Sequence, residues 1–282
     1  MKGQWRVRMY QVIKREQLVP NIHLLVVKSD FIHRNAQAGE FVVVRADEKG
    51  ERIPLNLVDW DDKSVSMLFM VVGTSTSKLA LLKEGDEIAT LAGPLGRPTE
   101  VIREKKVVCV GGCYGIGALH PIIRMFKKNR NYVTTIIEAR SEFLLYWQNK
   151  LIEYSDELHE ITRDGTRGFK GHVNDFLIDY LKKNEVDMVY AQGCTYLTYL
   201  TSETTRPFGI KTIVGLNPIM VDATGMCGVC RVIVGGETKF GCVDGPEFDG
   251  HQVDWNNLLS RRKIYLGEER HSLSFYECEK YG

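Results

Sequence analysis

The chain has 282 residues, a formal net charge of +1 and 44% hydrophobic residues. Two domains with sizeable cores are the natural expectation for that length. The near-neutral balance argues against nucleic acid or an anionic membrane as the main partner. MKGQWRVRMYQV holds no apolar leader, and no apolar run is long enough to span a bilayer, so the expected location is the cytoplasm. Seven cysteines then point to ligand or catalytic use and not to disulfides.

Residues 1–100 read as short β runs at 7–15, 22–28, 40–45, 64–72 and 87–92, with helical periodicity only at 77–82. Short strands with glycine turns predict a small antiparallel β-barrel. Two stretches in it are suited to chemistry. Arg52 precedes a proline-stiffened extended run, Ile53-Pro54-Leu55-Asn56-Leu57. Such a run offers a charge to a phosphate and backbone groups to a flat ring, or is an ordinary edge strand with a surface arginine. Val72, Gly73, Thr74, Ser75 and Thr76 lead into a short helix. Hydroxyls and free N–H groups there either hold an anion or only cap the helix.

From 101 to 215 the pattern alternates between strand and helix. A buried-type strand at 105–110 enters the turn Gly111-Gly112-Cys113-Tyr114-Gly115-Ile116-Gly117, followed by a helix over 118–128. Gly111, Gly112, Gly115 and Gly117 let backbone approach a pyrophosphate, or make a tight ligand-free turn; the spacing is not the strict dinucleotide fingerprint. The next strand, 133–138, ends at Glu138 with Arg140 just beyond, where a ribose is read. Glutamate disfavours a 2′-phosphate and arginine favours it, so NAD and NADP both stay open. A helix over 143–149, a strand over 157–162, a helix over 173–183 and a strand over 187–193 complete a parallel sheet with helices on both faces. That strand closes on Gly193 and Cys194, and 204–209 reads as a hinge to the C-terminal lobe.

Residues 216–255 carry the most specific signal. Cys227 and Cys230 form a C-x2-C pair on a glycine-rich loop. A third thiol, Cys242, stands on the returning arm of a hairpin that turns at Gly235-Gly236. Asp222 can supply a fourth, carboxylate, ligand. Zinc and an iron–sulfur cluster both accept such a set, and buried free thiols are the plain alternative. Residues 256–282 read as a tail with a short helix at 258–265, and Cys278 as a surface or partner-facing thiol.

MCGVCRVIVGGETKFGCVDGPEFDGHQVDW resembles the C-terminal [2Fe–2S] lobe in the small subunit of the NADH-dependent reduced ferredoxin:NADP oxidoreductase family. That family includes the sulfide dehydrogenase β subunit and is related to the electron-transfer subunit of dihydroorotate dehydrogenase B. The resemblance runs along nearly the whole chain. AGEFVVVR, RIPLNL and GTSTSKLA are similar to the flavin-binding segments of ferredoxin reductases, with Asn56 where Thr or Ser is usual, and LAGPLGRP to the end of the barrel. VGGCYGIGALHPIIRMFK and YAQGCTYLTYL are similar to the nicotinamide-nucleotide segments. Residues 163–171 depart from the acidic, serine-containing stretch of relatives.

The resemblance implies a ferredoxin reductase-like chain: a β-barrel FAD domain (1–100), an α/β Rossmann-like nucleotide domain (101–215), a small β-rich [2Fe–2S] lobe (216–255) and a C-terminal tail (256–282). It implies Asp222, Cys227, Cys230 and Cys242 as cluster ligands, and Cys194 as a group guiding hydride transfer beside the nicotinamide. NAD(H) is then the substrate, with NADP(H) not excluded. A hydride passes between nicotinamide and FAD, and single electrons between FAD and the cluster. The implied partner is a larger subunit carrying flavin and [4Fe–4S] clusters within an electron-bifurcating complex, through which ferredoxin is reached. The same relay would suit a sulfide dehydrogenase, a dihydroorotate dehydrogenase or a hydrogenase-type complex. A zinc-stabilised nucleotide-binding regulator is the reading from a different class.

Overall fold

A computed structural model of the chain describes residues 10–281, so the start of the first expected strand, 7–9, lies outside them. The first elements are β1 (Tyr10–Val19), β2 (Ile22–Lys28), α1 (Ile32–Asn35), β3 (Phe41–Arg45), β4 (Ile53–Trp60), β5 (Ser64–Met70), α2 (Thr74–Leu81), β6 (Glu87–Ile88) and β7 (Thr90–Leu95). Their seven strands pair antiparallel in the order β6-β1-β2-β5-β4-β3-β7, the expected barrel. Period-2 alternation sends Val42, Val44, Leu55, Leu57, Met67 and Phe69 inward, where they close one core.

The second unit comes next as β8 (Lys106–Gly112), α3 (Gly115–Lys128), β9 (Tyr132–Ala139), α4 (Gln148–Ile152), β10 (Glu157–Thr162), β11 (Phe169–Lys170), α5 (Val173–Lys183), β12 (Met188–Gln192), α6 (Thr195–Thr205) and β13 (Lys211–Gly215). Then come the hairpin β14 (Arg231–Val234) and β15 (Glu237–Phe240), with β16 (Glu247–Asp249), α7 (Trp255–Arg261) and α8 (Leu266–Tyr281) after it. The sheet order is β11-β10-β9-β8-β12-β13-β16, parallel except for β16, which pairs antiparallel with β13. Helices cover both faces. One face buries Ile116, Leu119 and Ile122 of α3 against Leu24, Val58 and Leu68 of the barrel, so a single core spans the two units. The other buries Val108 and Val110 against Leu177, Leu197, Trp255 and Leu258.

Several expectations need correction. The single helix over 143–149 is instead a 3-10 turn at Glu142–Leu144 followed by α4. Between them Leu145 and Tyr146 are buried, and the Tyr146 hydroxyl donates to the Cys113 carbonyl at 2.9 Å. Reaching that carbonyl interrupts the helix. Residues 204–209, read as a hinge, are the end of α6 and a 3-10 turn at Arg206–Phe208 leading to β13; Thr205 is fully buried and its hydroxyl accepts from that of Thr212 at 2.6 Å. The short helix expected at 258–265 is α7, capped by the Asp254 carboxylate on the Asn257 N–H. The tail beyond it is the helix α8, and its Ser272 hydroxyl lies 3.0 Å from that of Thr74 on α2. The sequence reading also lacked β11, β13 and β16, the last of which takes part of 216–255 into the nucleotide-domain sheet. Among the described residues no helix is long and apolar enough to cross a membrane.

Candidate functional site

The outer face of the β3–β4 pair is where the parts meet. In an antiparallel ladder, residues directly opposite one another share a face. Phe41 pairs with Asn56 and Val43 with Pro54. Phe41 and Val43 point out of the barrel and pack with Met220, Ala223, Cys230 and Cys242 in a small core. Pro54 and Asn56 therefore share a face with residues that seat two cysteines. Leu55 and Leu57 point the other way, into the barrel, and can offer only backbone to a ligand on this face.

The buried sulfurs of Cys230 and Cys242 lie 3.2 Å apart, the first just before β14 and the second after β15. Burial, and after it the Cys230 neighbour, raises the Cys242 thiol above its ordinary value. One tetrahedral metal with metal–sulfur bonds of about 2.3 Å spaces two sulfurs roughly 3.8 Å apart, so this pair fits a metal centre after a small adjustment. Cys227 is exposed and Asp222 partly so, both on the loop before β14. Among the described residues no three His, Cys, Asp or Glu side chains converge as a metal site. The structure brings two of the four expected ligands together and leaves the other two on the outer loop. The Thr224 hydroxyl donates to Asp222, and with the more distant Arg52 charge it holds that carboxyl below the usual range.

Arg52 is exposed at the start of β4, within electrostatic reach of Asp222. At the other suited stretch, Gly73 is the extended N-cap of α2 and Val72 is exposed. The Thr76 hydroxyl is already engaged, accepting from the N–H groups of Val72 and Gly73 at 3.0 and 3.1 Å and donating to the Gly73 carbonyl. The N–H groups of Thr74 and Ser75, in the first turn, have no helical acceptor. The Thr74 hydroxyl meets that of Ser272, which sets α8 alongside the first turn of α2.

The strand order reverses between the parallel neighbours β8 and β12, the chain leaving β8 toward β9 on one side and β12 toward β13 on the other, and the opening at such a switch point is the usual seat of a nucleotide. The last register pair is Gly111 with Gln192. The glycines here have packing reasons. A Cβ on Gly115 would lie 2.1 Å from the Gln192 carbonyl oxygen, and one on Gly117 would lie 1.9 Å from Leu68 of the barrel. Added Cβ atoms on Gly111 and Gly112 would meet Leu119 and Leu197. Gly193 follows β12 at φ +153, and Cys194 is the N-cap of α6.

Glu138 is buried and committed on both oxygens, accepting from Arg163 Nε and from the Val173 N–H, each at 2.8 Å. A ribose would have to compete with those bonds. Arg140 is exposed beyond it. The stretch 163–171 that departs from relatives supplies Arg163, the partner of Glu138, and the edge strand β11.

Sequence reasoning missed the groups that hold this crevice in shape. The Tyr114 hydroxyl donates to the Gly193 carbonyl at 2.7 Å and accepts from the Asn217 amide. Thr195 donates to the Asn217 side chain at 2.7 Å, and Arg262 donates to both Thr195 and the Asn217 carbonyl at 3.0 Å. Burial pushes the Tyr114 phenol up to about 12, so it stays a donor at neutral pH. Glu247 of β16 is half-buried and accepts from Thr99 and Tyr190, each at 2.6 Å, joining the barrel exit to the sheet. No motif marks these residues, because their partners are distant in sequence.

Residues 217–254 match the model of the iron–sulfur cluster binding domain of dihydroorotate dehydrogenase B. The chain is 40% identical over 262 residues to the Thermotoga maritima protein named dihydroorotate dehydrogenase B (NAD(+)), electron transfer subunit homolog, covering 92% of this chain and 93% of that one. The chain belongs to this family of electron-transfer subunits. As a member it is an oxidoreductase subunit. It is also similar to a chain in the structure of the NADH-dependent reduced ferredoxin-NADP oxidoreductase, with 39% identity, a TM-score of 0.90 and coverage of 98% and 99% of the two chains. Phthalate dioxygenase reductase, at 15% identity and a TM-score of 0.59 over 80% of this chain and 86% of that one, shares the fold. The ferredoxin reductase-like architecture of the family member is thereby established.

Proposed function

We propose that this subunit relays electrons between NAD(H) and a partner subunit through FAD and a [2Fe–2S] cluster. The observation that carries the reading is the shared face of β3 and β4. Pro54 and Asn56 of the flavin segment stand directly across the ladder from the residues that seat Cys230 and Cys242. When bound, FAD couples the two-electron chemistry of a nicotinamide to the one-electron chemistry of a [2Fe–2S] centre. Arg52, Pro54, Asn56 and the N-terminus of α2 would hold the flavin nucleotide, Leu55 and Leu57 closing the barrel beneath it. Cys230 and Cys242 would hold the inner side of the cluster, and Cys227 with Asp222 the outer side. The crevice between β8 and β12 would take the nicotinamide nucleotide, with Cys194 beside the ring, Arg140 toward the ribose, and Tyr114 fixing the Gly193 carbonyl.

The division of labour follows the chain: residues 1–100 for the flavin, 101–215 for the nucleotide, 216–255 for the cluster and 256–282 as the tail. The seven free thiols suit a reducing compartment, the cytoplasm. The partner we favour is a larger subunit with flavin and [4Fe–4S] clusters in a ferredoxin- and NADP-linked complex, supported by the 98% coverage at 39% identity. A dihydroorotate dehydrogenase is the second choice, supported by the name of the Thermotoga relative.

Anaerobic purification of the chain, untagged partners included, tests the reading. Flavin, iron and acid-labile sulfide should appear at about one FAD and about two iron per chain, and NADH should bleach the flavin. Zinc near one per chain without flavin would overturn the relay. The identity of the co-purifying subunit decides between the two partners.

A further inference from the structure

Cys113 and Cys194 occupy equivalent places on the two sides of the crevice. Beyond the last register pair, Gly111 with Gln192, Gly193 lies against Gly112, and Cys194 and Cys113 are the next residues on the two turns. The two chains are still touching at that point. An added Cβ on Gly193 would lie 2.9 Å from the Gly112 carbonyl oxygen, and one on Gly115 would lie 2.7 Å from the Gly193 Cα. The Tyr114 hydroxyl ties the two turns together through the Gly193 carbonyl at 2.7 Å. A disulfide needs Cα atoms within about 7 Å, and the contact of Gly112 with Gly193 is what brings the two turns toward that range. Cys113 is exposed and Cys194 partly so, which leaves both sulfurs open to a small reagent. The charge of one is felt at the other: Cys194 follows burial as a cause that raises the Cys113 thiol. Cys109, the thiol within β8, is fully buried and stays out of this chemistry.

We propose that Cys113 and Cys194 form a dithiol at the mouth of the crevice that a low-molecular-weight disulfide converts into an intramolecular disulfide, closing the crevice to the nicotinamide nucleotide. In the first step one cysteine thiolate attacks the reagent, forming a mixed disulfide and releasing one thiol. In the second step the other cysteine attacks the protein-bound sulfur and releases the second thiol. The protein loses two electrons and two protons, and the reagent disulfide gains them as two thiols. A bond between these two turns would bridge the switch point that a nucleotide must enter. The consequence for the nucleotide rests on the function proposed above, whereas formation of the bond does not.

The test treats the full, cofactor-loaded chain with glutathione disulfide. Tryptic peptides mapped by mass without reduction report the bond, and fluorescence titration with NADH reports binding. A linked pair of peptides containing Cys113 and Cys194 should form, NADH affinity should fall by roughly 10-fold or more, and dithiothreitol should restore it. Saturating NAD+ should slow the linkage. In Cys113→Ser and Cys194→Ser the fall, measured against each variant's own untreated affinity, should vanish. Separate glutathione adducts on the two cysteines, a linkage to Cys227 or Cys278 instead, or a linked chain that binds NADH as before would overturn the proposal. Untreated chain that binds no NADH would instead sink the nucleotide reading, while the peptide map would still report on the dithiol.

Discussion

The sulfur of Cys230 sits 3.2 Å from that of Cys242, and both rest on Phe41 and Val43 of the barrel strand β3. This contact couples the metal lobe to the flavin barrel without any long linker. Replacing Cys242 by Ala should take iron from about two per chain toward zero while flavin content holds, since the barrel core lies on the other side of β3. Asp222→Ala should also lower iron and leave FAD in place. Full iron content with an unchanged electron paramagnetic resonance spectrum in that variant would remove Asp222 from the ligand set.

Gly115 admits no side chain. Its added Cβ would meet the Gln192 carbonyl oxygen at 2.1 Å, the carbonyl carbon at 2.4 Å and the Gly193 Cα at 2.7 Å, all of them backbone. Relief requires moving α3 or the β12–α6 turn. Gly115→Ala is therefore predicted to destabilise the fold by about 1–3 kcal/mol and to weaken NADH binding, with flavin retained. Urea unfolding and NADH titration check it. Wild-type behaviour in both would show that the turn yields at no cost.

Glu247 predicts a pH dependence. Burial raises its carboxyl from the ordinary 4.5 to about 7, with the Thr99 and Tyr190 hydroxyls opposing. The folded state therefore holds this proton more tightly than the unfolded chain does. Its contribution is complete below pH 4.5 and is lost as pH rises toward and through 7, a span worth at most about 3 kcal/mol. Glu247→Gln stays neutral and still accepts from both hydroxyls. The variant should match wild type at about pH 4.5 and exceed it at about pH 8 by up to that amount, as read by urea unfolding at the two values. A stability difference that is the same at both would rule out Glu247 as the titrating group.

Arg52 immediately precedes the flavin strand β4, and its charge adds a smaller contribution to the Thr224 hydrogen bonds that lower the Asp222 carboxyl. Arg52→Ala should lower FAD occupancy after gel filtration, because a surface phosphate contact of this kind contributes about 1.5–3 kcal/mol. Arg52→Lys should restore part of it. Flavin occupancy equal to wild type in the alanine variant would take Arg52 out of the site.

The local patterns alone were enough for most of the elements. Alternation in FVVVR and in IPLNLVDW predicts a half-buried pair of strands, because successive side chains on a strand must point to opposite faces. The strand–glycine turn–helix run around Gly111–Gly117 predicts the βαβ opening, and the C-x2-C pair with Cys242 across a hairpin predicts a thiolate site, since these are short-range constraints. What tertiary structure decided is which distant groups meet. Nothing near Glu247 foretells Thr99 and Tyr190, nothing near Tyr114 foretells Asn217, and the carboxylate expected at a ribose, Glu138, is engaged by Arg163 and the Val173 N–H. At 204–209 the tertiary structure places the end of α6 and seats the buried Thr205 hydroxyl against Thr212, a pairing that composition does not announce. Local propensity depends on a few neighbouring residues, whereas burial of a polar group must be satisfied by whatever the fold brings to it.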